Sequence, residues 1–363
     1  MTTPHTSQLA ALLLALTSTQ AAGQPSQIVT GPVRVGPPIK PPHLSVPFWT
    51  PERPPAPGRK LKFKSLREKI GRSAVQLKNR NSLIEISGGV EVLDLDDWRG
   101  VAATDIDSGE MCTLSLIGPR AVLLAAHCVD AGLPAGAAGE HSIGAEVVFR
   151  TKTYRMTCQL PTAYTDRAPD PWGAPRSSAD YALCELHKPV PDVLFETIRT
   201  DVAGEINQQV GLLGYGCIEL GVNAAGRYTH RDGRANGKPV LRRGTDELEA
   251  TDITIFPGEL ALYWRTLSSS TAEPALCFGD SGGPVTAGEG KGRRVLAVNS
   301  GLGTAPEASV ESPKFYSYLS PLSTQTFVTF LMEWVEAGDD GKGKKDRIVC
   351  GFNRPAGQLG CRG

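Results

Sequence analysis

Three residues in the order His, Asp, Ser carry the side chains that acyl transfer requires. His127 lies in Leu124-Ala-Ala-His-Cys128, Asp180 in Ser178-Ala-Asp-Tyr-Ala-Leu183 and Ser281 in Gly279-Asp-Ser-Gly-Gly-Pro284. A serine hydroxyl is a poor nucleophile at neutral pH, so a neighbouring base must take its proton. An imidazole titrates in the right range, and a buried carboxylate can orient it. This set therefore predicts nucleophilic catalysis.

Each motif alone is weak, because a histidine after two alanines is usually packed and Gly-Asp-Ser-Gly is usually a turn. An Asp that opens a strand is usually a cap. Together, in this order and 53 and 101 residues apart, the three motifs predict one site. The glycines around Ser281 also allow two backbone N–H groups to face the point where an oxyanion would form.

Composition indicates which elements position these residues. The chain has 363 residues, with 40 Gly, 28 Pro and 21% charged residues, which fits one loop-rich β domain of about 200–250 residues plus accessory segments. From Ile86 onward, short apolar runs alternate with Gly- and Pro-rich turns, as in antiparallel β folds. We expect long surface loops at 131–144 and 223–245, a helix over 324–337 and a polar tail at 338–363.

The first 85 residues differ in composition from the rest of the chain. An apolar run at 9–16 followed by small residues predicts a signal peptide over 1–23, and hence a secreted, extracellular or periplasmic protein. The alternative is a disordered apolar N-terminus. Residues 25–57 hold 11 of the 28 prolines, which predicts an extended linker. No apolar run approaches the roughly 20 residues needed to cross a bilayer.

Charge divides the chain in the same place. Lys+Arg and Asp+Glu are equal at 38 each, so no nucleic-acid partner is expected. Residues 1–85 nevertheless hold 12 basic and 3 acidic residues, against 26 and 35 in the remainder. A basic amphipathic helix is possible over 59–80. We interpret 24–85 as a leader, with docking on the acidic remainder, or on an anionic membrane or cell wall, as the open alternatives.

These motifs together resemble the trypsin-like (chymotrypsin-fold) serine proteases, which have the same order of His, Asp and Ser. Further family features are Cys112 placed 16 residues before Cys128, Trp98, Cys112–Ile117, Leu213-Gly-Tyr-Gly216, Pro313–Tyr316 and Trp334. The resemblance covers residues 86–337. It implies an all-β fold of two six-stranded antiparallel β-barrels with a C-terminal helix, and a site in the cleft between the barrels.

The resemblance also implies roles. His127 would be the general base and acid, Asp180 would orient it, and Ser281 would be the nucleophile. The N–H groups of Gly279 and Ser281 would form the oxyanion hole. We expect a monomeric endopeptidase that acts on proteins or peptides, without cofactor or metal. The alternative from another class is a protease-fold binding or adhesion module.

Two further expectations concern the substrate pocket. Ala275 stands where trypsin-like enzymes carry an Asp for Lys/Arg recognition, so cleavage after Lys or Arg is not expected. Alignment on Tyr316 places Lys314 in the pocket wall, beside a substrate-binding strand of Asn299, Ser300 and Gly301. An ammonium there would favour Glu or Asp before the scissile bond. The alternative is that Lys314 points to solvent and the pocket is apolar.

Activation is the next expectation from the resemblance. Ile86-Ser-Gly-Gly89 lies at a family-like distance before Cys112. Cleavage after Glu85 would free Ile86, whose ammonium would pair with Asp280, and 24–85 would be a pro-segment. With a preference for Glu, this cleavage would be autocatalytic. The alternative is that Gly88-Gly89 is only a turn and activation occurs otherwise.

Eight cysteines in an exported chain indicate four disulfides, for which spacing alone leaves 105 connectivities. The family resemblance implies Cys112–Cys128 and makes Cys217–Cys277 plausible. Cys158–Cys184 and Cys350–Cys361 would then remain. No Cys-x-x-Cys pair occurs, which argues against a zinc ribbon or a thioredoxin-like site.

Overall fold

A computed structural model describes twelve segments of the chain. They are residues 86–105, 111–130, 141–149, 152–165, 177–223, 228–231, 234–235, 238–254, 262–305, 308–309, 311–338 and 347–363. The predicted signal peptide and pro-segment lie outside the described residues. No helix within those segments is long and apolar enough to cross a bilayer.

Strands dominate the described segments. The first seven are β1 (Val90–Glu91), β2 (Val101–Asp105), β3 (Met111–Leu116), β4 (Ala121–Leu124), β5 (His141–Phe149), β6 (Lys152–Leu160) and β7 (Ala182–Leu186). The next five are β8 (Gln209–Gly214), β9 (Glu219–Val222), β10 (Tyr228–Arg231), β11 (Arg234–Ala235) and β12 (Lys238–Pro239). The last five are β13 (Arg242–Ile253), β14 (Tyr263–Ser268), β15 (Pro284–Ala287), β16 (Arg294–Thr304) and β17 (Phe315–Pro321).

Two large antiparallel sheets confirm the predicted chymotrypsin-like architecture. The first has six strands in the order β2-β3-β4-β7-β6-β5. The second runs β13-β14-β17-β16-β15-β8 and closes into a barrel because β8 also pairs with β13, while β1 adds to the edge of β13. The hairpins β9–β10 and β11–β12 are separate two-stranded sheets.

The predicted terminal helix is confirmed as α2 (Gln325–Glu336), while a short α1 (Thr162–Thr165) follows β6. The hydroxyl of Thr324 caps α2 by accepting a hydrogen bond from the N–H of Phe327 (3.2 Å). The buried face of α2 carries Phe327, Leu331 and Trp334. The Phe327 ring packs edge-on against Tyr181 with centroids 4.8 Å apart, so α2 supports the segment that follows Asp180.

The predicted long loops are wrong in part. Residues 141–144 belong to strand β5, and the stretch 223–245 contains β10, β11, β12 and the start of β13. Strands β10 and β13 are rich in polar residues and largely half-exposed or exposed, so they lack the alternation of apolar and polar residues that marks a half-buried strand.

Residues 347–363, the C-terminal part of the predicted polar tail, are anchored in the fold. The N–H of Cys350 donates to the carbonyl of Ile117 (2.7 Å), and the N–H of Arg362 donates to that of Phe195 (2.9 Å). Arg362 itself is fully buried. Its guanidinium joins a network of Arg293, Asp97 and Glu196, which we call the charge cluster.

Candidate active site

A histidine and a buried aspartate form the first part of the site. His127 lies in a short 3₁₀ turn after β4, and Asp180 lies just before β7, which pairs with β4. The Nδ1 of His127 is 2.7 Å from Oδ2 of Asp180, and the backbone N–H of His127 donates to Oδ1 (2.9 Å). Asp180 is fully buried, whereas the imidazole is 25% exposed. A carboxylate acceptor at Nδ1 leaves Nε2 as the proton acceptor.

Ser300 is a further member of this site that the sequence analysis did not assign to it. Its hydroxyl donates to Oδ2 of Asp180 (2.6 Å), and its side chain is buried. Ser300 was predicted to line the substrate pocket, but this contact shows that its side chain supports Asp180. A β-bulge between Asn299 and Gly301 shifts the register of β16 at this residue.

The turn that carries Ser281 presses against the segment before His127. Gly282 has a φ of +84°, and a Cβ on it would lie 2.9 Å from the backbone nitrogen of Ala125. The N–H of Thr113 donates to the carbonyl of Ser281 (2.8 Å), and the sulfur of Cys128 lies 3.7 Å from the same oxygen. Ser281 is half-buried and is thus held beside the histidine turn.

The carbonyls of Phe278, Gly279 and Asp280 in this turn all have hydrogen-bond donors. The carbonyl of Phe278 accepts from the N–H of Cys217 (2.9 Å), and that of Gly279 accepts from the hydroxyl of Thr113 (2.9 Å). The carbonyl of Asp280 accepts from Nδ2 of Asn299 (3.2 Å). Because the N–H and C=O of a trans peptide point in opposite directions, these bonds also set where the following N–H groups point.

The N–H groups of the turn divide into two that have acceptors and two that have none among the described residues. The N–H of Asp280 donates to the carbonyl of Cys277 (3.0 Å), and that of Gly282 donates to the carbonyl of Asn299 (2.8 Å). For the N–H groups of Gly279 and Ser281, no acceptor is found within the twelve described segments. Two such donors in one turn can stabilise an anion.

Asn299 lies behind the turn and not in a pocket wall. It is fully buried, and its Nδ2 donates to the carbonyls of Leu213 (2.8 Å) and Asp280. This corrects the expectation that Asn299 lines the substrate pocket. Gly301, the third residue of that expectation, is half-buried in β16 opposite Tyr318.

The expected pocket floor is apolar. Ala275 is 1% exposed and packs in a cluster with Cys217, Cys277 and Phe315. The residue of β17 that bonds to this segment is Ser317, whose hydroxyl accepts from the N–H of Leu276 (3.0 Å).

Lys314 takes no part in the hydrogen bond between Ser317 and Leu276. It precedes β17, and its carbonyl accepts from the N–H of Ala305 (3.0 Å). The register pairs Ser317 with Leu302 and Tyr316 with Gly303. Ser317, three residues after Lys314, is therefore the residue of β17 that bonds to the segment of Ala275.

Asp280 is a buried carboxylate next to the nucleophile. It accepts from the N–H groups of Gly216 and Cys277, both at 2.8 Å. Burial raises its pKa to about 7, and these two hydrogen bonds and the charge of Arg242 only partly oppose the rise. A Cβ at Gly216 would lie 2.6 Å from Oδ1 of Asp280, which explains a glycine in the Gly-Tyr-Gly turn.

The segment around Ile86 lies against the same loop. Ile86 is 1% exposed, and the carbonyl of Ser87 accepts from the N–H of Ala275 (2.8 Å). The Ser87 hydroxyl accepts from the N–H of Leu220 (3.2 Å). Ile86 is thus buried beside the loop that leads to Asp280, whereas Glu85 lies outside the described residues.

The four expected disulfides are all present. They are Cys112–Cys128, Cys158–Cys184, Cys217–Cys277 and Cys350–Cys361. Ligand atoms of Cys112, Cys128 and His127 lie within 4.8 Å of one another. The two sulfurs are bonded to each other, so they are not thiolates and do not form a metal site.

Tyr164 of α1 is another neighbour that sequence reasoning missed. Its hydroxyl donates to Oδ2 of Asp130 (2.6 Å), which joins α1 to the segment after His127. Burial raises the pKa of Tyr164, and the negative charges of Asp180 and Asp130 raise it further. The hydroxyl therefore stays protonated and donates. No local sequence pattern marks this contact, because 34 residues separate its partners.

Comparison with known proteins identifies the class. The family model Trypsin matches residues 87–325, about two thirds of the chain. The chain therefore belongs to the trypsin family of serine proteases. A search of curated proteins found no match.

Two solved structures illustrate the likeness. A Glu endopeptidase in complex with MPD is 18% identical with a TM-score of 0.44, covering 70% of this chain and 99% of that one. A scabies mite inactivated protease paralogue is 15% identical with a TM-score of 0.43, covering 69% and 97%. The family assignment rests on the family model and not on these two scores.

Proposed function

We propose that the protein is a secreted serine endopeptidase that cleaves peptide bonds through an acyl-enzyme. The observation that carries the proposal is the pairing of His127 with buried Asp180 beside a turn with two available N–H groups. His127 would take the proton of the Ser281 hydroxyl as its oxygen attacks the scissile carbonyl. The N–H groups of Gly279 and Ser281 would then stabilise the oxyanion. His127 would give the proton to the leaving amine, and water would repeat the sequence to release the acid.

The test is turnover of a casein substrate and of a peptide library by wild-type protein and Ser281→Ala. We expect loss of about 10⁶ in kcat for the variant, since removal of a nucleophile removes the covalent route. A fluorophosphonate should label wild-type protein only, at Ser281. Folded wild-type protein that cleaves nothing and is not labelled would favour the binding-module alternative.

Specificity is the second part of the proposal. Cleavage after Lys or Arg is not expected, because Ala275 offers no carboxylate and its neighbours in the cluster are apolar. We keep a preference for Glu or Asp as the hypothesis, since Glu85 precedes Ile86, and an apolar P1 residue as its rival. Matched peptides with Glu, Gln, Phe and Arg at P1 separate these outcomes. Lys314→Gln should lower the Glu-to-Gln ratio of kcat/KM if Lys314 reads the carboxylate.

Activation by cleavage after Glu85 is the third part. A free ammonium at Ile86 would supply a positive charge next to Asp280, whose burial makes its ionised form costly. Arg242 is a second cation that acts on this carboxylate, so activation without cleavage is the rival. N-terminal sequencing of the active protein decides: a start at any residue other than Ile86 contradicts the proposal. Secretion itself is consistent with four disulfides, which persist in oxidising compartments.

A further inference from the structure

The oxyanion donor on Gly279 belongs to a residue that cannot hold its own orientation. Gly279 has a φ of +105°, and glycine has no side chain to restrict rotation about its backbone bonds. Its N–H can point to the oxyanion only while the peptide groups on both sides are held by other residues. Those outside contacts therefore decide whether the donor is available.

Thr113 supplies one of these contacts. It is fully buried in β3, 166 residues before Gly279, and its hydroxyl donates to the Gly279 carbonyl at 2.9 Å. The same hydroxyl accepts from the N–H of Tyr215 at 3.0 Å, which directs its proton to Gly279. The Cys217 N–H holds the other peptide group through the carbonyl of Phe278.

The backbone of Thr113 also contacts Ser281, which carries the second oxyanion donor. Its N–H donates to the carbonyl of Ser281 at 2.8 Å. Thr113 thus holds the peptide group that follows each donor residue, while Cys217 and Asn299 hold the carbonyls of the two peptide groups that carry the donor N–H groups. A side chain that served only to fill the core would not need a hydroxyl at this position.

We propose that Thr113 is a positioning residue that holds the oxyanion donors of the nucleophile turn through its hydroxyl and its N–H. The inference rests on the proposed peptidase function and deepens it. Thr113 touches no reacting atom, and its effect passes through Gly279. Losing an oxyanion donor costs about 10²–10³ in kcat, so loosening one is expected to cost about tenfold.

The test compares wild-type protein with Thr113→Val, which keeps the shape of the side chain and removes the hydroxyl. All chains are expressed from the full sequence and matched by the N-terminal sequence of the purified protein. We expect kcat to fall about tenfold with KM nearly unchanged, because an oxyanion is bound only in the transition state. Affinity for a peptide boronic acid should fall by a similar factor. Thr113→Ser should restore both values.

Thr104→Val is the matched control. Thr104 is also a buried threonine, and its hydroxyl also donates to and accepts from the backbone, at Cys112 (3.1 and 3.2 Å). Both valine variants should lower the melting temperature to a similar extent, whereas only Thr113→Val should lower kcat and boronate affinity. Equal kcat in the two variants, or wild-type kcat in Thr113→Val, would overturn the inference. If the wild-type chain cleaves no peptide, the proposed function fails, and the boronate affinities still decide the role of Thr113.

Discussion

At the scale of single residues, the carboxylate of Asp180 has more partners than the motif around it suggests. His127 donates to both oxygens and Ser300 donates to Oδ2. The three residues of the motifs could be predicted from sequence because type, order and spacing mark them. The supporting roles of Ser300 on Asp180, Thr113 on Gly279 and Asn299 on Asp280 could not, since these hydrogen bonds join residues 19 to 166 positions apart.

Ser300→Ala should lower kcat by about tenfold and destabilise the fold by about 1–3 kcal/mol, because a buried carboxylate loses a donor. Kinetics and urea unfolding measure the two effects. Ser320→Ala is the matched control, since the Ser320 hydroxyl is buried in β17 with no partner found in the described part of the chain. A similar kcat loss in both variants would show that the effect is not specific to Asp180.

Asp280 should make the uncleaved chain lose stability as the pH rises. Its pKa of about 7 in the folded state lies above the value of about 3.9 in an unfolded chain. Between these pH values the folded state binds more protons, so the free energy of unfolding should fall from about pH 4 to pH 7. Urea unfolding in a Ser281→Ala background, which prevents self-cleavage, measures this.

Asp280→Asn in the same background should flatten this pH dependence, whatever it does to absolute stability. Asp201→Asn is the control, because that carboxylate is exposed and its pKa is lowered by Arg199. An unchanged slope in Asp280→Asn would contradict the assignment. Cleavage at Ile86 should also flatten the slope, because an ammonium would favour the ionised carboxylate.

At the scale of elements, α2 shows where sequence patterns predict structure, and β10 shows where they do not. Apolar residues at helical spacing predicted α2 within a residue at each end, because one face of the helix is buried. Strand β10 has the sequence Tyr-Thr-His-Arg and lies mostly exposed, so no apolar alternation marks it. The hairpin β9–β10 is set by its pairing and by the Cys217–Cys277 disulfide at its base, neither of which has a local signature.

Phe327→Ala should lower the free energy of unfolding by about 3–5 kcal/mol, because it removes a buried ring that packs on Tyr181. Met332→Ala in the same helix should change it by less than about 0.5 kcal/mol, since Met332 is 46% exposed. Urea unfolding compares the two variants. Equal losses would mean that α2 contributes through helix propensity and not through its buried face.

At the scale of the whole molecule, the charge cluster joins distant parts of the chain. Arg293 precedes β16 and lies over the Trp98 ring at 3.2 Å, while it bonds to Glu196 at 3.0 and 2.7 Å. Arg362 bonds to Asp97 at 2.7 Å. Two cations and two anions balance within one network, in which Arg293, Arg362 and Glu196 are buried and Asp97 is partly exposed. Sequence could not predict it, since its members are scattered over 265 residues.

Arg362→Met should cost about 3–5 kcal/mol of unfolding free energy, because Asp97 and buried Glu196 would then share the single cation of Arg293. Adding Glu196→Gln should recover part of that loss, since it removes the excess negative charge. Arg199→Met is the control, because its pair with Asp201 is exposed and worth less than about 1 kcal/mol. Chemical denaturation of all four chains measures the coupling, and equal losses in the two Arg variants would contradict it.

The members of the charge cluster are synthesised at widely different times. Arg362 is synthesised 265 residues after Asp97. At 5–20 residues per second, roughly 13–50 s separate the synthesis of the two partners. Arg293 is synthesised 196 residues after Asp97 and 97 residues after Glu196, so both carboxylates exist before either arginine does. The segment around Asp97 therefore cannot reach its final state until Arg362 has been synthesised.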